Sequence, residues 1–162
     1  MISASSIQDM STTSEPTPSR KEQEVEKGRP QIEKEITIAK KTNSRLMKIV
    51  SDDHRFYDAI ENFLLADPAR EIPELGDPSA FVAKADRFRD EGDNMMARVG
   101  YETAAKIEIY NQNKQRAEEC ITLANEVTDP HDKHHEFQRT LLGDMDRVLG
   151  VAREYYSGLP TP

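Results

Sequence analysis

The residues with the most chemistry to offer stand in one short run, His131-Asp132-Lys133-His134-His135-Glu136. His131 and His135 are four apart. On a helix that spacing turns both imidazoles to one side, where they could share an ion with Glu136 close by. A metal-activated hydrolase would place a general base between its histidines, in the order His-Glu-x-x-His, and that order is absent. Asp129-Pro130, just ahead, has the form of an ordinary helix start, with an aspartate cap and a proline in the first helical position. Asp77-Pro78 has the same form. A capped, solvated helix start is therefore the main expectation, and a helical-bundle metal site built on His131, His135 and Glu136 the alternative. Cys120, the single cysteine, falls among Ala117, Ile121, Ala124 and Val127 at helical intervals. That is the setting of a small core residue, not of a nucleophile. The sequence contains no glycine-rich phosphate loop and no serine in a nucleophile elbow. No catalytic residue and no cofactor are expected, and the chain is expected not to be an enzyme.

Composition narrows the partners. The chain has 162 residues, 30 acidic and 22 basic, for a net charge of -8. Such a surface repels phosphate, so nucleic acid is not an expected ligand. No apolar run approaches the ~20 residues of a membrane span, and membrane association is not expected. The amino terminus lacks a basic stretch followed by an apolar core, so a secretory signal is not expected. One cysteine excludes an internal disulfide. The expected location is the cytoplasm.

The elements that would position these groups are all helical. Residues 1–28 are rich in Ser, Thr, Glu and Pro and should be a disordered tail. In 29–66, Ile32, Ile36, Ala39, Asn43, Leu46 and Val50 step by four and three residues, and Asp53, Tyr57, Ile60 and Leu64 continue the seam. This is one long helix or, preferably, a hairpin broken at Ser51-Asp52-Asp53. A self-associating coiled coil, with Asn43 fixing register, is a second functional alternative. Residues 29–50 are rich in Arg and Lys, whereas 51–78 carry eight acids against Arg55 and Arg70. The basic side offers a recognition face or, more simply, complementary packing. Residues 67–77 hold two prolines and a glycine and should be an extended linker. Helices are expected over roughly 78–91, 94–111, 114–128 and 130–157, and no strand anywhere. The fold class is all-α, an antiparallel bundle of five or six helices. Gly143 and Gly150, seven apart in the last segment, mark a close approach of another helix or a break.

Between Pro78 and Tyr110 small and aromatic residues alternate. Phe81, Ala85 and Phe88 share one helix face, Gly92 punctuates, and Ala97, Tyr101 and Ala104 share the next. This order resembles the tetratricopeptide repeat, a helical hairpin of about 34 residues. It departs at Lys84, where the family prefers leucine, and at Ile109, where a proline normally closes the repeat. A weaker echo in overlapping phase uses Tyr101, Ala105, Ala117, Ile121 and Ala124. The resemblance implies a tetratricopeptide-like bundle over 78–158 that serves as a scaffold, with a partner groove lined by the first helix of each pair. By that geometry Val82, Asp86 and Arg89, with Asp90 beside them, are the candidate partner-binding residues. Val82 and Asp86 replace the lysine and asparagine with which some members clamp a terminal carboxylate, so a basic or mixed peptide fits better. The expected function is non-catalytic protein–protein interaction, with a protein or peptide partner and a possible homo-oligomer.

Overall fold

The computed structural model describes residues 43–159, and from Ser44 onward they belong to one compact unit. The described residues form eight helices and no strand: α1 (Ser44–Ile49), α2 (His54–Glu61), α3 (Pro68–Leu75), α4 (Pro78–Asp90), α5 (Asn94–Tyr110), α6 (Lys114–Val127), α7 (Lys133–Leu142) and α8 (Met145–Ser157). The class is all-α. The expected tail over 1–28 and the seam residues before Asn43 lie outside the described residues.

Helix α1 stops because Ser51 and Asp52 both take positive φ, 56° and 58°. The Asp53 carboxylate then accepts from Phe56 N–H and starts α2. Leu46, Val50, Ile60 and Phe63 go into the main core with Leu141, Val148 and Ala152. Arg147 on α8 holds the turn in place. Its guanidinium donates to Asp53 Oδ2 at 3.0 Å and to the Val50 carbonyl at 3.3 Å, and lies 4.0 Å over the Phe56 ring. Arg45 donates to the carbonyls of Glu154 and Tyr155, both at 2.9 Å, closing the end of α8 with a cation where the helix dipole favours one. In the described part of the basic segment, then, Arg45 serves packing.

Helices α4, α5 and α6 form an antiparallel stack in which α5 packs along both neighbours. Two turns of one kind make it. Gly92 (φ 84°) and Gln112 (φ 60°) each supply the left-handed residue. Asp93 N–H reaches back to the Phe88 carbonyl and Asn113 N–H to that of Glu108, at 2.8 and 2.9 Å. These are the six-to-one bonds that close a helix before a reversal. Asp93 and Asn113 then cap the following helices. At the α4–α5 contact an added Cβ on Gly100 would stand 2.9 Å from Ala85 Cβ and 3.3 Å from the Phe81 carbonyl oxygen. Only hydrogen fits there. Ala85, Ala97, Tyr101 and Ala124 are fully buried, with Phe88 packed against them.

Three expectations need correction. The linker over 67–77 contains a helix, α3. Pro68 sits where the first N–H has no partner anyway, Glu71 accepts from Asp67 N–H at 2.7 Å, and Pro73 forfeits a single ladder bond. The last segment is two helices, because Asp144 (φ −153°, ψ 63°) breaks it and caps α8. Together these raise the count above the expected five or six. Of the two readings of Gly143 and Gly150, the break is found at Gly143, the C-cap of α7, and the close approach is not: an added Cβ on Gly150 meets nothing within 4 Å, and one on Gly143 meets only carbonyls of its own helix.

The contrast between glycines is measurable by urea denaturation. Gly100→Val should cost about 1–3 kcal/mol through overpacking. Gly150→Ala, in open space inside α8, should gain about 0.5–1 kcal/mol. Equal effects at the two positions would contradict this packing.

Candidate protein-interaction groove

Where α4 and α6 flank α5, a cleft of about 230 Å³ opens, walled by Pro78, Ser79, Val82, Ala83 and Asp86 on one side and Arg116, Glu119, Cys120 and Leu123 on the other, with Glu108 below. Through Glu119 and Leu123 it runs onto a shallow, open depression of about 810 Å³ along α6 that ends at Glu126. The spacing puts Val82 and Asp86 one turn apart on α4, and Glu119 and Leu123 one turn apart on α6. The result is an apolar floor with carboxylates at its edge.

Several charges here are already matched. Arg116 lies 2.9 Å from the buried Glu108, and Lys114 3.0 Å from Asp146, which holds its ammonium above the ordinary value. Arg89 faces Glu126 across the stack at 3.8 Å. Asp86 accepts from the Tyr101 hydroxyl. Burial, and then that carboxylate, push the Tyr101 phenol up. Glu118 acts on Lys114 as a further negative charge, and Glu119 forms no salt bridge among the described residues. Of the sequence candidates, the structure brings Val82 and Asp86 to the groove and places Arg89 at its far end, against α6. Asp90 is exposed at the end of α4, outside the lining.

Cys120 borders the cleft but is 5 % exposed, and burial pushes its thiol up to about 11. The residue is present almost wholly as the inert thiol at neutral pH.

The histidine run assembles differently from the alternative expectation. Helix α7 begins at Lys133, capped by Asp132 and not by Asp129-Pro130. His131 therefore precedes the helix and shares no face with His135. Its N–H bonds Asp129, and Glu136 pairs with Arg55 at 3.4 Å. Among the described residues no group of three or more His, Cys, Asp and Glu could hold a metal ion.

Nearby stands a polar cluster that sequence reasoning missed. Gln138, fully buried on α7, donates to Glu102 (3.2 Å) and Thr128 (3.0 Å) and accepts from Asn125 (3.0 Å). Glu102 is buried and pairs with Arg98 at 2.7 Å. The cluster joins α5, α6 and α7, and its satisfied hydrogen bonds fix which surfaces meet. No protein-family model, no curated protein and no solved structure matches the chain.

Glu102→Ala would strand the Arg98 charge and a Gln138 amide in a buried setting, and should cost about 3 kcal/mol in a denaturation experiment. Cys120 should resist a thiol-exchange reagent at pH 8 in the native protein and react on unfolding. Fast native reaction would contradict the burial described for the thiol.

Proposed function

We propose that this chain is a non-catalytic interaction protein whose α4–α5–α6 stack, tetratricopeptide-like in its residue order, receives a segment of a protein partner in the groove between α4 and α6. One observation carries the reading: the groove is continuous from Ser79 to Glu126, apolar at Val82, Cys120 and Leu123, and edged by Asp86 and Glu119, which form no salt bridge among the described residues. The partner segment is basic or mixed in charge, with an apolar residue seated on Val82 and Leu123 and a cation near Asp86 and Glu119. A cytoplasmic setting goes with this reading, since the lone buried thiol needs no oxidising compartment. Among the described residues no helix is long and apolar enough to cross a membrane.

Affinity purification from native cells, with bound proteins identified by mass spectrometry, is the test. Wild-type chain should retain a partner that Val82→Lys and Leu123→Lys lose, because each puts a long cation on the floor of an acid-edged groove. Asp90→Ala should retain it, since Asp90 stands outside the lining. Capture of the same proteins by all four forms would overturn the assignment.

A further inference from the structure

Helix α5 is deeply buried along most of its length, yet it opens with three exposed apolar side chains: Met95 (63 %), Met96 (37 %) and Val99 (44 %). Scattered apolar residues on a surface are ordinary, but grouped ones mark a contact. These three lie at positions i, i+1 and i+4, so they form one ridge along a helix face. Two are methionines, whose unbranched, polarizable chains adapt to varied apolar partners.

Beside Met95 the surface falls into a second cleft, of about 520 Å³, far from Val82 and the groove floor. Its opposite wall carries Asp129 and Asp132 on the α6–α7 connection and, at the end of α6, Glu126, which also ends the groove and faces Arg89 at 3.8 Å. Arg98, the only cation among the described residues that line it, is tied to Glu102 at 2.7 Å. Asp129 and Asp132 accept from backbone N–H groups of their own turn and face no cation among the described residues. We propose that the Met95–Met96–Val99 shelf is a second docking surface, distinct from the groove floor at Val82, for a helix of another protein that is apolar on one face and bears lysine or arginine on the edge facing Asp129 and Asp132.

Charge selects this occupant over a second copy of the chain. A two-fold pairing sets one patch against itself, so the acids of one shelf would crowd those of the other, between molecules that each carry a net charge of -8. A helix fits better than an extended strand, because a ridge of i, i+1 and i+4 residues presents the complement that an amphipathic helix fills.

The test uses the full chain, a synthetic amphipathic helix of leucine and lysine, and its leucine–glutamate counterpart. Binding is read by fluorescence anisotropy, and its place by NMR of ¹³C-methyl methionine. The lysine helix should bind at least about tenfold more tightly than the glutamate one and shift the methyls of Met95 and Met96 but not that of the buried Met145. Met95→Lys with Val99→Lys should weaken it by about tenfold or more. Asp129→Asn with Asp132→Asn, which leaves the shelf and the groove lining intact, should weaken it and flatten its salt dependence. Val82→Lys, in the groove, should leave it unchanged, so failure here and failure of the groove assignment are separate results. Equal binding of the two helices, unmoved Met95 and Met96 methyls, or shelf variants that bind like wild type would overturn the proposal. So would Met95 and Met96 shifts that depend on protein concentration alone, which would assign the shelf to a second copy.

Discussion

The carboxyl-terminal half depends on how closely α4 approaches α5. Gly100 meets Ala85 at a separation that leaves no room for a Cβ, and the spacing of the two helices follows from that one contact. With the backbones this near, Tyr101 on the next position reaches α4, where its hydroxyl meets Asp86 on the groove wall. The same ring is buried with Ala124 of α6, so one side chain couples both flanking helices. A wider α4–α5 spacing would detach Tyr101 from Asp86 and open the cleft floor.

The second constraint is the polar cluster of Glu102, Gln138, Asn125 and Thr128. An all-alanine seam would let α6 and α7 slide past α5, since apolar surfaces of similar shape pack in more than one register. Buried amides and carboxylates penalise any register that leaves them unpaired. Arg147 does a similar job elsewhere in the fold, tying the turn between α1 and α2 to α8 through Asp53 and the Val50 carbonyl. The polar cluster thus holds α5 and α6 in one register, and a groove beside helices so held can present a fixed shape to a partner.

Much of the stack was legible in the sequence. Alanine and ring spacing gave α4, α5 and α6 almost to their ends, and Asp77-Pro78 marked the start of α4. The same signal failed at Asp129-Pro130, because a second aspartate three residues on, Asp132, competes for the cap and wins. The histidine run lost its shared face for that reason. Proline count argued against α3, yet prolines at the first and sixth positions of an eight-residue helix remove little hydrogen bonding. Among glycines, Gly143 and Gly150 drew attention by their spacing, whereas the one that matters for packing, Gly100, looked unremarkable between Val99 and Tyr101. Gln138 hid beside Phe137 and Leu141, and Glu102 beside Tyr101, with no mark of their burial in residue type. Exposure of Met95 and Met96 was invisible to periodicity. Whether an apolar residue is covered depends on how far the neighbouring helices extend, and α4 and α6 leave the first turn of α5 bare.

The contact between Ala85 and Gly100 is open to direct observation. A nuclear Overhauser spectrum of isotopically labelled full-length chain should show a strong cross-peak between the Ala85 methyl and the Gly100 α protons, together with one between the Tyr101 ring and the Ala124 methyl. Absence of the first, with Ala85 instead giving cross-peaks to water, would contradict the helix spacing on which the groove rests.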